Sequence, residues 1–134
     1  MSHSNLASPA MQDYLEVILD LTETQGRVRV TDIAVKLNIA KASVSQAIDN
    51  LIDLELVEQE RYGPINLTLK GEEQARKVRR RHRVIKSFLI DVLGVGQGIA
   101  EKDACLIEHA ISPTTMEKLC KFLESKGLAQ TKDY

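Results

Sequence analysis

Five consecutive residues, Cys105-Leu106-Ile107-Glu108-His109, place a thiol, a carboxylate and an imidazole at positions i, i+3 and i+4. On a helix those positions share one face. The run therefore offers three metal-ligand types within about one turn. Two further donor sets occur elsewhere: Asp13 and Glu16 stand one turn apart near the N-terminus, and His82 sits inside Arg79-Arg80-Arg81-His82-Arg83. Each set also has a plainer reading. Cys105 can be a small core residue beside an exposed Glu108–His109 pair, Asp13 and Glu16 a solvated acidic face, and His82 one more polar group on a basic face. The chemistry these residue types could do is metal ligation.

A second kind of chemistry is written in Val30 to Asn50, VTDIAVKLNIAKASVSQAIDN. Thr31 is suited to cap a helix, with Asp32 in the first turn where the helix dipole favours an anion. Ile33, Ala34 and Leu37 recur at helical spacing. Asn38 can take the left-handed conformation of a sharp turn, and Ile39 is placed to plug the corner. Val44, Ala47, Ile48 and Leu51 then form an apolar stripe, leaving Lys41, Ser43, Ser45, Gln46, Asp49 and Asn50 on the opposite face. Short polar side chains with Gln and Asn suit base edges and phosphates in a major groove. The following Leu56–Gln59 and Ile65–Thr68 read as two short strands, joined by Glu60-Arg61-Tyr62-Gly63-Pro64 with hairpin chemistry. Helix-turn-helix followed by a hairpin is a winged-helix arrangement. Arg61 at the wing tip can pair with phosphate, and Tyr62 can pack on sugar.

Composition narrows the class. The chain has 134 residues, 43% of them hydrophobic, enough for one domain or a small domain with an interaction segment. No apolar run approaches a membrane span, and no basic-then-apolar signal peptide opens the chain, so a cytoplasmic protein is expected. Aromatics are only 4%, which argues against stacking platforms for single strands. The net charge is −1, yet Arg76–Lys86 holds seven Lys or Arg and no acid, and a local patch of this kind can serve DNA. Cys105 and Cys120 share no zinc-finger spacing and are expected as free thiols.

The elements that must position these groups follow from periodicity and caps. Ser8-Pro9 starts a helix to about Thr24, with Tyr14, Val17, Ile18 and Leu21 toward the core. Val28–Val30 could add a short third strand. Thr68 caps a long helix to about Leu93, whose apolar positions Ala75, Val78, Ile85, Leu89 and Val92 include His82 in their series. Gly94, Gly96 and Gly98 break the chain, a helix covers residues 99–111, and Ser112-Pro113 starts a last helix with Met116, Leu119, Cys120 and Leu123 on its apolar side. The C-terminal half carries more apolar surface than three helices bury alone, which points to a homodimer, as a palindromic DNA site would suit. The expected fold is mostly α with a small β-wing: a winged helix-turn-helix over residues 1–71, then a helical dimerisation and metal-binding domain over 72–134.

DYLEVILDL near the start, VRVTDIAVKLNIAKASVSQAIDNL, LTLKGEEQA after the wing, RRHR at 80–83 and CLIEHAIS at 105–112 together resemble the diphtheria-toxin-repressor and manganese-transport-repressor family. The resemblance implies a dimeric repressor of iron or manganese uptake genes that needs a divalent metal to grip double-stranded operator DNA. It implies no catalysis, no small-molecule substrate and no membrane partner. It matches Asp13, Cys105, Glu108 and His109 to one set of family ligands, and Glu16 and His82 to a second, adjacent set. In the family's logic, Asp13, Glu16 and Glu108 repel one another until a dication neutralises them and fixes the reading heads.

The departures define the expectations further. The manganese branch usually has a carboxylate where this chain has Cys105, and the iron branch usually has methionine where it has Asp13. The thiolate favours iron, cobalt, nickel or zinc, while Asp13 and Glu16 pull toward harder ions, so Fe(II) or Mn(II) is expected, with Zn(II), Co(II) or Ni(II) as further candidates. Lys86 falls where the iron branch places a glutamate of an ancillary site, and that site is expected to be absent in its usual form. No SH3-like third domain is expected. Ala40 stands where the family often has a capping serine. Two alternatives remain: a winged-helix thiol sensor using Cys105 and Cys120, and a small helical di-metal enzyme, which would need Glu-x-x-His pairs that the chain lacks. With ordinary imidazoles, metal-dependent binding would weaken below about pH 6.

Overall fold

The computed structural model describes residues 8–61 and 63–128. These form six α-helices, a π-helical turn and one two-stranded sheet, divided into two compact units between Arg76 and Lys77.

In the N-terminal unit, α1 runs Pro9–Gln25. Ser8 Oγ accepts the Met11 N–H at 3.3 Å, and Pro9, which has no N–H to leave bare, fills the first helical position. The buried face is Leu15, Ile18 and Leu19, while Tyr14, Val17 and Leu21 pack only partly against the core. The apolar stripe is thus rotated from the expected one, because Leu15 stands three and four residues before Ile18 and Leu19 and shares their face.

The next helix, α2, spans Val30–Leu37 and starts before the expected cap. Thr31 lies inside it. The helix entrance is held instead by Asp32, whose Oδ2 accepts the Arg29 N–H at 2.8 Å. Asn38 does adopt the left-handed conformation (φ 57°, ψ 50°), but Ile39 is 39% exposed and does not plug the corner. α3 follows over Lys41–Asp53, with Val44, Ala47, Ile48 and Leu51 all buried. Removing a side chain such as Leu51 would cost about 3 kcal/mol in transfer and cavity energy.

The wing is β1 (Val57–Gln59) paired antiparallel with β2 (Ile65–Leu67), Val57 opposite Leu67 and Gln59 opposite Ile65. The expected third strand at Val28–Val30 reduces to one bond, Ile65 N–H to Val28 O at 2.8 Å, since Val30 already belongs to α2. Val28 is nonetheless fully buried and closes the sheet's inner edge.

Thr68 starts α4 (Leu69–Ser87) as expected: its Oγ1 accepts the Gly71 N–H at 3.0 Å and donates to Glu55 O at 2.7 Å. Gly71 then passes so close to Leu56 that a Cβ would overlap its carbonyl oxygen. The helical path continues past α4 as a π turn over Phe88–Val92, in which the Leu93 N–H reaches Phe88 O at 3.2 Å, five residues back.

In the C-terminal unit, Gly96 is the N-cap of α5 (Gln97–Ile107), so Gly98 sits within the helix and does not break the chain. α5 is shorter than the 99–111 expected. Its C-cap is Glu108, and a turn carries the chain to Ser112, whose Oγ accepts the Thr115 N–H at 3.1 Å and opens α6 (Pro113–Ser125). Val84, Ile85, Leu89, Ala100, Ala104, Met116, Cys120 and Leu123 form this unit's core. Val92, the last of the expected seam, is 37% exposed, turned outward by the π turn.

Candidate metal centre and nucleic-acid interface

Two helices of the C-terminal unit converge three ligand-type side chains. His82 comes from the part of α4 beyond Arg76, Cys105 from the last turn of α5, and Glu108 from its C-cap. One donor atom from each lies within 4.8 Å of the other two. Although α5 ends at Ile107, Glu108 keeps helical dihedrals (φ −59°, ψ −27°), so the i, i+3 relation to Cys105 survives the helix end.

The contacts have a definite order. His82 Nδ1 is 2.8 Å from Glu108 Oε1 and 3.8 Å from Cys105 Sγ. The other ring nitrogen, Nε2, is 2.8 Å from Glu101 Oε2, and Glu101 Oε1 in turn takes Lys86 Nζ at 2.9 Å. The hydrogen bond to Glu108 lifts the His82 imidazole to about 9; burial opposes the rise, and Glu101 adds to it. Lys86 foremost, then His82, holds the Glu101 carboxyl below its ordinary value. At neutral pH the ring is thus an imidazolium wedged between two carboxylates.

Glu108 is the buried charged residue among those described, 2% exposed. Its Oε1 is satisfied by His82, but its Oε2 is buried with no hydrogen-bond partner. A carboxylate oxygen removed from water without a donor is costly. A thiolate, an imidazole nitrogen and a carboxylate oxygen at this spacing are a fitting donor set for a divalent transition metal, and the bare Oε2 is where one more bond is missing.

His82, expected with Glu16 in a second set, lies beside Cys105 and Glu108 of the first. His109 lies in the turn after α5 and is not one of the three clustered donors. Asp13, exposed, and Glu16, half-buried, lie on α1 in the N-terminal unit. Glu101 was not anticipated, although it stands one turn before Cys105, as Lys86 stands one turn after His82; i, i+4 bookkeeping from each expected ligand would have found both. Cys105 is exposed and Cys120 buried, and neither is in a disulfide.

The other chemistry lies on α3. Lys41, Ser43, Ser45, Gln46 and Asp49 are exposed and Asn50 is half-buried, opposite the buried stripe. Ala40 is the N-cap and supplies no side-chain acceptor. Arg61 is exposed in the wing turn, whereas Tyr62 falls outside the described residues.

Residues 7–65 match the family described as iron dependent repressor, N-terminal DNA binding domain, and residues 68–126 match iron dependent repressor, metal binding and dimerisation domain. An uncharacterized helix-turn-helix-type transcriptional regulator of Methanocaldococcus jannaschii is 37% identical over 118 residues, covering 87% of this chain and 94% of that protein. The transcriptional regulator MntR of Escherichia coli is 33% identical over 117 residues, 87% of this chain and 75% of MntR. Among solved structures, the manganese regulator SloR superposes with a TM-score of 0.77 at 31% identity, covering 85% of this chain and 53% of SloR. A manganese-dependent transcriptional repressor in complex with manganese gives 0.77 at 29% identity, covering 90% of this chain and 54% of that one. The chain therefore spans about half the length of these solved proteins. Among the described residues, no helix is long and apolar enough to cross a membrane.

Proposed function

Because this chain belongs to the iron dependent repressor family of metal-dependent, DNA-binding transcriptional regulators, we propose that it represses iron or manganese uptake genes by binding palindromic operator DNA as a cytoplasmic homodimer, in a divalent-metal-dependent manner. The observation that carries the metal reading is the meeting of His82, Cys105 and Glu108 around a buried carboxylate whose second oxygen has no partner.

His82, Cys105 and Glu108 would hold the ion. Asp13, Glu16 and His109 enter the proposed ligand set through the family resemblance alone. A bound dication would supply the positive charge that two anionic donors need in a partly dehydrated site. The chain's own residues do the rest. Glu108 contributes a fixed, buried negative charge. Cys105 adds a soft donor that leans the centre toward Fe(II), Zn(II), Co(II) and Ni(II), while the proposed ligands Asp13 and Glu16 pull toward the harder Mn(II); Fe(II) or Mn(II) is the proposed ion, with the others as competitors. Residues 72–134 form the proposed dimerisation and metal-binding domain. Leu93, Ile99 and Leu106, each more than half exposed there, fit an apolar face awaiting a second copy. Residues 1–71 form the proposed reading head. Gln46, Ser43 and Ser45 are the proposed groove contacts, and Lys41, Arg61 and Tyr62 the proposed backbone contacts.

The test is fluorescence anisotropy of a labelled palindromic operator pool. Protein is added with chelator, then titrated anaerobically with Fe(II), Mn(II) and Zn(II) in separate runs. Binding that appears only with metal supports the reading, and the order of midpoints ranks the ions. Equal binding by the chelated protein would remove the metal switch while leaving the winged helix in place.

A further inference from the structure

Glu101 and Lys86 have no role in the reading above, yet they sit against its central ligand. Resting on that reading, we infer that Glu101, anchored by Lys86, is a positioning residue that fixes which ring nitrogen of His82 meets the metal.

A histidine ring can present either nitrogen to an ion, and the hydrogen bond made by the other one decides which. In this centre Nε2 meets Glu101, at 2.8 Å from its Oε2. Nδ1 is the one that faces Glu108 and Cys105, at 2.8 and 3.8 Å. If the neutral ring keeps its proton on Nε2, donated to Glu101, the Nδ1 lone pair points at the other two donors. The other tautomer, with the proton on Nδ1, would offer Glu101 a lone pair in place of a proton and set two acceptors against each other.

Glu101 alone would hold the ring poorly, because its side chain is about half exposed. Lys86 supplies the restraint. It lies one turn beyond His82 on α4, as Glu101 lies one turn before Cys105 on α5, and its ammonium takes the outer oxygen Oε1 at 2.9 Å. The ammonium also neutralises Glu101. The carboxylate is therefore spent as a counter-charge and hydrogen-bond acceptor, and it is not a metal ligand. An ion pair this exposed is worth little to folding. Its effect belongs in metal affinity and ring tautomer, and unfolding should not register it.

The experiment uses the full chain. Co(II) affinity is measured by competition with a chelating dye, bound metal is counted by elemental analysis, and the ring nitrogens of His82 are read by long-range proton–nitrogen NMR on the Zn(II)-loaded protein. Glu101→Gln should weaken Co(II) binding about 10–100-fold, as loss of an outer-shell partner does. It should keep the stoichiometry and the thiolate-to-cobalt absorption of the parent, and show mixed Nδ1 and Nε2 ligation. Glu101→Asp should recover part of the loss, and Lys86→Met should give a smaller loss in the same direction while unfolding at the parent's midpoint. Parent-like affinity with Nδ1 ligation alone in Glu101→Gln would overturn the inference. So would tighter binding by Lys86→Met, since Glu101 would then be a ligand that Lys86 withholds. If instead the parent shows no thiolate-to-cobalt absorption and Glu108→Ala changes nothing, the metal centre itself is what fails.

Discussion

His82 Nδ1 lies 2.8 Å from the buried Glu108 Oε1 and 3.8 Å from Cys105 Sγ. One nitrogen therefore serves two purposes. Without metal it holds a proton against the carboxylate, and with metal it must give that proton up. Proton and metal compete for a single atom, and the pH behaviour of the protein follows from that competition.

The first consequence concerns affinity. The ring titrates at about 9, so it is protonated throughout the neutral range. Metal binding then displaces a proton at any pH below that value, contributing about a tenfold gain in affinity per pH unit up to about 9 and none above. This replaces the pH 6 threshold expected of an ordinary imidazole. Dye-competition titrations between pH 6.5 and 9.5 check it: His82→Gln should lower the slope of log affinity against pH by one. An unchanged slope would take His82 out of the ligand set.

Stability of the metal-free protein should run the other way. The folded-state value of His82 is raised above its ordinary 6.5, so its contribution is fully present below about 6.5 and is lost as pH rises through about 9. The metal-free C-terminal unit should therefore melt lower at pH 9.5 than at pH 6.5, and Glu108→Gln should flatten that difference. Thermal scans of the two proteins in chelator at both pH values provide the comparison; parallel curves would mean that the His82–Glu108 pair contributes nothing.

Glu108→Ala should abolish metal-stimulated operator binding and weaken metal binding by more than about 100-fold, beyond the cost of losing an outer-shell partner. The physical reason is that Glu108 brings a fixed anion that no neighbour replaces. Anisotropy curves with and without metal should coincide for this variant. Repression that keeps its full metal dependence would falsify the assignment of Glu108.

Much of this centre could be read along the chain, because helical spacing carries it: Cys105 and Glu108 are separated by three residues, and the His82 register points inward with Val78 and Ile85. The winged fold was legible for the same reason, since the Val44, Ala47, Ile48 and Leu51 stripe and the Ser8, Thr68 and Ser112 caps are local signals. What escaped depended partly on competition within one turn and partly on distant partners. Arg29 displaced Thr31 as the start of α2 because Asp32 reaches back to its N–H. Pairing His82 with Cys105 and Glu108, and Glu101 with His82, requires knowing that α4 and α5 lie side by side, which no spacing within one helix reveals.

Gly71 is another residue that spacing could not flag. It sits in the first turns of α4 and packs its backbone against Leu56, where a Cβ would overlap the carbonyl oxygen. Leu56 is itself fully buried, and its carbonyl accepts the Thr68 N–H at 3.1 Å, so it cannot retreat freely. Gly71→Ala should thus cost about 3 kcal/mol, at the upper end for overpacking, despite the better helix propensity of alanine. A urea midpoint equal to the parent's would show that α4 slides at no cost.

The start of α3 offers a change in the opposite direction. Ala40 already has N-cap geometry (φ −69°, ψ 144°), but it has no side-chain oxygen to accept an N–H from the first turn. Ser43 N–H has to lean on the Ala40 carbonyl at 3.1 Å. Ala40→Ser adds the missing acceptor without altering the backbone, and a cap of this kind is worth about 1 kcal/mol. For a unit of this size that corresponds to a rise of about 4–8 °C in Tm. The same hydroxyl would stand at the end of the helix proposed to enter the groove, next to Lys41, so operator affinity should rise with stability. Calorimetry and anisotropy on one preparation separate the two effects. A higher Tm with unchanged affinity would show that the cap stiffens α3 without touching DNA, and an unchanged Tm would show that Ala40 is not the point where this helix begins.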